Sequence, residues 1–420
     1  MVAASYVAAS VFGVASLPDL IQAPLLSALP GPVFGFLIDS LQHFGKVTEE
    51  TGLVISIVAV GAGAGGLLAA ILRRVGKFGS QAAAADPLRR QMLQLAPLAV
   101  GGAALAVVAA RLLPEWYVAA RPPEGAAGET PAITPSSSFY LVSKNFRDPV
   151  VVTDGWHLRI HGLVEFEQSL DYSHLRALPQ AAEFVTLECV SNPVGGRLMS
   201  TGRFDGPRLL GLLAMAQPQA AARYAAFHAN DGYTEWLARA DIGPEVLVAL
   251  KLNGSPLPDD HGFPARLVVP GRYGMKGPKW LEAIELADNP PSGYWEGKGW
   301  GADAIVKTTS RIDVPSDGAT ISGQPVRLAG IAFAGERGVS KVEWSADGGT
   351  TWRPADLDAP ISQFSWRPWQ SRWQPGGPGR YTLMVRSTDG SGNSQESAAA
   401  NSFPNGSTGL HSVAVRVLTS

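Results

Sequence analysis

The chain has 420 residues, with 34 Lys and Arg against 36 Asp and Glu and a single cysteine. A net charge of −2 leaves no basic field of the kind nucleic acid requires, and one cysteine cannot form an internal disulfide. Apolar residues at 46% against 17% charged are too many for an all-soluble chain and point to a membrane portion.

That apolar excess lies at the N-terminal end, in residues 1–120. Two stretches reach the roughly 20 residues needed to cross a bilayer. They are GLVISIVAVGAGAGGLLAAIL at 52–72 and LAPLAVGGAALAVVAARLL at 95–113, and the first has small residues that permit close helix contact in lipid. Two weaker candidates, 2–16 and 24–41, are interrupted by prolines or Asp19. Core helices of a soluble domain are the alternative, opposed by the scarcity of charge in the two strong spans. The loop between those spans carries Arg73, Arg74, Lys77, Arg89 and Arg90 against Asp86 alone. The positive-inside rule places it in the cytoplasm and everything after Arg121 on the extracytoplasmic side of the cell membrane. Arg89 and Arg90 ahead of an apolar run also resemble a twin-arginine signal, which exports already folded domains. Met1 opens directly into apolar sequence with no charged leader, from which a start further upstream is expected.

A Pro, Gly and Ser-rich linker, RPPEGAAGETPAITPSSS, covers 121–138. Short strand-like runs follow over 139–303: WHLRIHGLV, EFVTLECV, ARLVVPG and KWLEAIEL, with GPRLLGLLAMA as a short amphipathic helix. The run EFVTLECV ends on Cys189, ahead of the polar turn SNPVGG. Three readings are open for that thiol: a buried small hydrophobe, a nucleophile, or a soft metal ligand. A nucleophile wants a histidine base, and a zinc site wants more Cys or clustered His. The sequence has no CxxC and no HExxH, and its seven histidines are scattered. One thiolate suffices as a ligand where a cofactor supplies the remaining coordination.

The segment FVTLECVSNPVGGRLMSTGRFDGPRLLGLL resembles the cysteine segment of the sulfite oxidase family of molybdopterin enzymes. HGFPARLVVPGRYGMKGPKWLEAIEL, FYLVSKNF and DGYTEW resemble further segments of that family, in the same order. The resemblance implies that Cys189 ligates molybdenum. It implies that Asn145, Asp231, His261, Arg266, Gly277, Pro278 and Lys279 hold the pterin and its phosphate. The residue types suit such a ligand. Arg266 and Lys279 answer phosphate charge, and His261 can bond a pterin heteroatom in either tautomer. The turn MKGPK would face backbone N–H groups toward an anion. Taken singly, His261 reads as a satisfied core group, Lys279 as a solvated strand edge and Asp231-Gly232 as a turn.

Four positions depart from the family. Lys144 stands where its substrate-clamping arginine is expected, and Pro193 and Val194 follow CVSN where basic residues are usual. Trp300, in GYWEGKGW, aligns with the substrate tyrosine; core packing is the alternative. Lys144 is a point charge, not a planar fork, so a compact dianion such as sulfite is bound less well. An S- or N-oxide is then at least as suitable. No haem is evident, since His43 stands alone outside the strong spans, so electrons pass to a separate cytochrome or quinone-linked partner.

Over 304–420 the runs VRLAGIAF, SKVEWSADGGTTWRPA, YTLMVRSTDG and HSVAVRVL, with a hairpin signal at SADGGTTW, read as an immunoglobulin-like sandwich. Trp344, Trp352, Trp366, Trp369 and Trp373 read as packing, with an aromatic binding surface as the alternative. The family resemblance implies that this domain supports a homodimer. The expected fold class is an α-helical membrane segment, an α+β sulfite-oxidase-type molybdopterin domain and an all-β immunoglobulin-like sandwich. The expected function is oxygen-atom transfer on a small S- or N-containing substrate, with Cys189, Lys144 and Trp300 at the reacting centre. Sulfite oxidation is one rival; a non-catalytic surface protein on a degenerate scaffold is the other.

Overall fold

Alternation of buried apolar and exposed polar side chains builds the strands of this chain. In His157–Gly162, Leu158 and Ile160 are buried while His157 and Arg159 face water. The computed structural model describes residues 128–145, 148–322 and 325–418. His157–Gly162 lies parallel to Leu281–Ala287, which pairs antiparallel with Tyr224–Ala229. Gln168–Asp171 and Thr234–Ala238 complete a five-stranded sheet at its two edges. Helix α1, Tyr172–Ala177, starts where the Asp171 carboxylate accepts the backbone N–H of His174 at 2.8 Å. Helix α2, Leu209–Ala216, buries Leu209, Leu212, Leu213 and Ala216 in the same core as Leu158, Ile160 and Phe227.

A second sheet carries the cysteine. Ala181–Glu188 pairs antiparallel with Met199–Gly206 over their full length, and Lys251–Leu252 and Ser255–Pro256 extend it. Its apolar residues Val185, Leu187 and Phe204 share a core with Leu247 and Val268 of a two-stranded ladder, Leu247–Ala249 with Arg266–Val268.

The C-terminal part packs two sheets face to face. Thr309–Val314, Val326–Phe333, Arg367–Trp373 and Asp356–Leu357 form one, and Val339–Ser345, Gly379–Asp389 and Ser412–Val417 are the main strands of the other. Trp344, Trp369 and Trp373 lie in the core between them. Trp366 is buried in a different cluster, with Val190 and Met199, and Trp352 lies under the Arg386 guanidinium at 4.2 Å.

Sandwich residues also bind the cysteine sheet. The backbone N–H of Thr186 donates to the Phe364 carbonyl at 2.9 Å, and the Thr186 hydroxyl accepts the Trp366 backbone N–H at 2.7 Å. Arg311 donates to Asp313 and to the Thr130 hydroxyl, both at 2.7 Å, and to the Gly196 carbonyl at 2.5 Å.

The expected fold class needs correction. The described chain is mostly β, with two α-helices of six and eight residues. Among the described residues no helix is long and apolar enough to cross a membrane. The spans expected at 52–72 and 95–113, and the weaker ones at 2–16 and 24–41, lie outside the described residues. The middle region has the expected helix at GPRLLGLLAMA, with a second, single-turn helix after Asp171, among its strands.

Arg311 and Asp313 are both buried, with side chains 5% and 0% exposed. Arg311→Ala would leave a carboxylate unpaired in the interior, a loss of about 3–5 kcal/mol. Chemical denaturation is expected to show it as a lower midpoint, and Asp313→Asn in the same chain is expected to restore part of it.

Candidate functional site

Cys189 is the first residue beyond strand Ala181–Glu188, at the mouth of a loop closed by Asn192. The Asn192 amide donates to the Glu188 carboxylate at 2.9 Å, and its carbonyl oxygen accepts the Leu198 N–H at 2.9 Å. The cysteine's own N–H donates to the Leu198 carbonyl at 2.9 Å. Gly195 has φ +74°, and a Cβ there would overlap the His411 ring; a Cβ at Gly196 would overlap the Asn192 side chain. The Ser407 hydroxyl donates to the Asn192 carbonyl at 2.7 Å. The loop is thus shaped from within by Asn192 and held from the sandwich by Arg311, Ser407 and His411.

The cysteine residue is half-buried and its sulfur lies 3.0 Å from the Ser191 hydroxyl. Burial of the sulfur pushes the thiol pKa up, against the lowering effect of Ser191. A thiol in that state is a poor nucleophile unaided, and among the described residues no histidine is hydrogen-bonded to it. Nor do the described residues hold three or more His, Cys, Asp or Glu grouped to grip a metal by themselves.

Arg266 is the strongest anion demand nearby. It is 6% exposed and its guanidinium makes no ion pair among the described residues. Its contacts are long ones, to the His261 carbonyl at 3.3 Å and the Gly277 carbonyl at 3.4 Å, and its Nε has no partner. Burial lowers its pKa to about 10, still far above neutrality. His261 is buried as well, and a Cβ at Gly262 would lie 2.9 Å from the Lys279 Cβ and 3.1 Å from the Arg266 Cβ. That close approach gathers His261, Arg266 and Lys279 at one spot. Tyr140 connects it to the cysteine: its pKa is raised by burial and by Cys189 and lowered by Arg266. A Cβ at Gly274 would stand 2.7 Å from the Tyr140 hydroxyl and 3.5 Å from the Glu188 carbonyl, so the Gly274–Lys276 turn lies against the end of the cysteine strand.

The expected residues of the other segments join in one polar network. Lys144 reaches the Asp231 carboxylate at 3.3 Å and its carbonyl at 2.8 Å. The Asn145 amide donates to Asp231 at 2.9 Å and, more weakly, to Asp148 at 3.4 Å. Asp148 in turn faces Lys279 at 3.5 Å, and Lys279 donates to the Asp260 carbonyl at 2.8 Å. Lys279 also lies 4.3 Å over the Trp280 ring, whose residue takes a left-handed φ of 53°. One expectation changes: the N–H groups of Lys276 and Gly277 are bonded to the Tyr273 and Gly274 carbonyls. Those two N–H groups are therefore spent within the turn and do not face an anion.

Trp300 stands apart from this network. It is 4% exposed in a cluster with Val190 and Met275, edge-on to Phe403 at 5.2 Å, and its indole N–H has no partner. Sequence reading overlooked Tyr140, Asp148 and Phe403, and the sandwich residues Arg311, Ser407 and His411. Each makes at least one contact with a residue far along the chain, and no local spacing marks it.

His261 has a testable consequence. Its pKa is lowered from 6.5 to about 3, by burial first and then by Arg266 and Lys279. Between those values the unfolded chain takes up a proton that the folded one refuses, so stability falls as pH falls. Relative to His261→Gln, the cofactor-free protein is expected to lose about 1.4 kcal/mol per pH unit between about pH 6 and pH 4. Urea unfolding reads this directly; curves of equal pH dependence would mean that the ring is not held neutral.

Comparison with known proteins agrees with this geometry. Residues 145–295 match the oxidoreductase molybdopterin binding domain, and residues 309–385 match a bacterial Ig domain. The chain is similar to human mitochondrial sulfite oxidase, 31% identical over 317 residues that cover 64% of this chain and 58% of that protein. It is similar to the Bacillus subtilis oxidoreductase YuiH, 32% identical over 146 residues, 34% of this chain and 72% of that protein. The chain thus spans a little over half the length of its mammalian relatives. In fold it resembles the sulfane dehydrogenase SoxCD of Paracoccus pantotrophus, with a TM-score of 0.62 at 19% identity over 73% of this chain and 92% of that one. The cysteine strand, the buried guanidinium and these matches together place the chain in the sulfite oxidase family of molybdopterin-binding oxidoreductases.

Proposed function

We propose that this protein catalyses two-electron oxygen-atom transfer on a small S- or N-containing substrate and exchanges the electrons with a separate redox partner. The observation that carries the reading is a buried guanidinium without an anion beside a lone soft ligand, Arg266 beside the Cys189 loop. A molybdopterin fits both needs. When bound, it supplies a metal centre that cycles by two electrons and gives or takes one oxygen atom.

The chain's own residues bind and orient. Arg266 would hold the phosphate of the pterin, with its unused Nε as one donor. Lys279 adds charge, and His261, neutral, can donate or accept at the ring system. Cys189 would give up its proton on ligating the metal, which offsets the burial that holds it as a thiol. Asn192, Arg311 and Ser407 keep its loop from shifting.

The substrate reading rests on charge. Lys144 is paired with Asp231, and Lys279 with Asp148, so neither offers a full positive charge to a compact dianion. Trp300 supplies a buried neutral donor with no partner, suited to the oxygen of an uncharged S- or N-oxide. Sulfite oxidation is the second reading, favoured by the 31% identity to human sulfite oxidase.

Protein from a host that makes the pterin is expected to contain about one molybdenum per chain and to turn over S- or N-oxides faster than sulfite with artificial electron donors and acceptors. Metal-free protein would leave a non-catalytic surface protein as the answer. Cys189→Ser is expected to abolish turnover while leaving the urea midpoint unchanged. Arg266→Met is expected to act in opposite directions. It should stabilise the cofactor-free protein by about 1–4 kcal/mol. It should also weaken cofactor retention by about 1.5–3 kcal/mol, roughly ten- to a hundredfold. Loss of both stability and cofactor would show that Arg266 is held by the protein, not by a ligand.

A further inference from the structure

Lys276 immediately precedes the Gly277, Pro278 and Lys279 run, yet it points away from that site. Its ammonium bonds Glu235 at 2.7 Å and Glu296 at 2.6 Å. The three side chains are 2%, 0% and 13% exposed. The ammonium also lies 4.7 Å from the Trp236 ring and donates to the Trp236 carbonyl at 3.3 Å. Glu235 belongs to strand Thr234–Ala238, Lys276 to the Gly274–Lys276 turn and Glu296 to the Glu296–Lys298 turn. Three elements far apart in sequence thus meet at one charge cluster.

The charges do not balance. Two carboxylates and one ammonium leave one negative charge in the interior, where an unpaired charge is costly. Each carboxyl has a second oxygen, Oε2, with no other partner, and the two carboxyls stand within reach of one hydrogen bond. Two acids that close share one proton, because both cannot ionise cheaply. The geometry links this to the site. Glu296 folds back over Gly293, whose carbonyl accepts the Gly297 N–H at 2.9 Å, and Trp300 donates its backbone N–H to Trp295 at 3.1 Å. The 293–300 turn therefore carries Trp300, and Glu296 is its anchor to the turn that leads to Lys279.

We propose that Glu235, Lys276 and Glu296 form a positioning unit that shares one proton between its two carboxyls and thereby holds the Trp300 turn against the cofactor turn. The unit is neutral while the proton is present. Its loss sets two carboxylates against each other and releases the turn. Burial, with Glu296 adding to it against Lys276, raises the Glu235 pKa to about 8, so the transition falls in the mildly alkaline range. The other titratable side chain that feels both carboxyls is Tyr233, which donates to the Met275 carbonyl at 2.6 Å and is held neutral far above that range by burial.

The test uses the full chain loaded with cofactor, in wild-type form and as Glu296→Gln and Glu235→Gln. Infrared difference spectra between about pH 7 and pH 9 should show the carbonyl stretch of a protonated carboxyl disappearing in wild type. Neither variant, with one carboxylate facing Lys276, should show it. Hydrogen–deuterium exchange of residues 292–301, normalised for intrinsic rate, should quicken over the same range in wild type alone. The kinetic arm rests on the oxidoreductase reading: KM should rise roughly fivefold across the transition with little change in kcat, and should stay level in Glu296→Gln. No carboxyl band in wild type, or equal exchange in wild type and both variants, overturns the positioning unit. Loss of the carboxyl band and quickened exchange in wild type, beside absent turnover, would instead overturn the proposed function and leave the unit standing.

Discussion

A full positive charge sits in the interior at Arg266 with no carboxylate to meet it, and the architecture around the candidate site follows from that demand. Proteins rarely bury a guanidinium unpaired, because desolvation outweighs what two long carbonyl contacts return. The neighbouring groups do not relieve it: His261 is kept neutral, Tyr140 is kept protonated, and the carboxylates within reach are taken by Lys144 and Lys279. The described residues thus leave this charge without a counter-ion, and the nearby thiol is held protonated by burial.

The sandwich takes part in this arrangement. Arg311, Ser407 and His411 fix the loop that presents Cys189, and Phe403 meets Trp300 edge-on. A substitution far from the thiol in sequence can thus alter its orientation. This coupling also explains why Asn192 and Gly196 matter more than their polar-turn appearance suggests. One closes the loop through its amide, and the other leaves room for that amide.

Two buried charge problems are solved in opposite ways. Around Lys276 the chain contains its own answer, two carboxyls and a shared proton. Around Arg266 it contains none. The contrast is between a charge cluster closed within the described residues and a charge left open, although Lys276 adjoins Gly277 and Arg266 donates to the Gly277 carbonyl.

The first strand was legible from the residues alone, because alternation in WHLRIHGLV reports one buried face at a period of two. So was the place of Cys189 at the end of a strand and ahead of a turn, and the order of several motifs shared with one enzyme family. The helical membrane segment expected from the apolar N-terminal stretch has no counterpart among the described residues, where no helix is long and apolar enough to cross a bilayer. Which charges are answered emerges only in the folded chain. Lys144 and Arg266 look alike in sequence, but one is paired with an aspartate 87 residues away and the other meets no carboxylate among the described residues. Pairing of that kind depends on sheets and domains meeting in space, and no local pattern of residues encodes it.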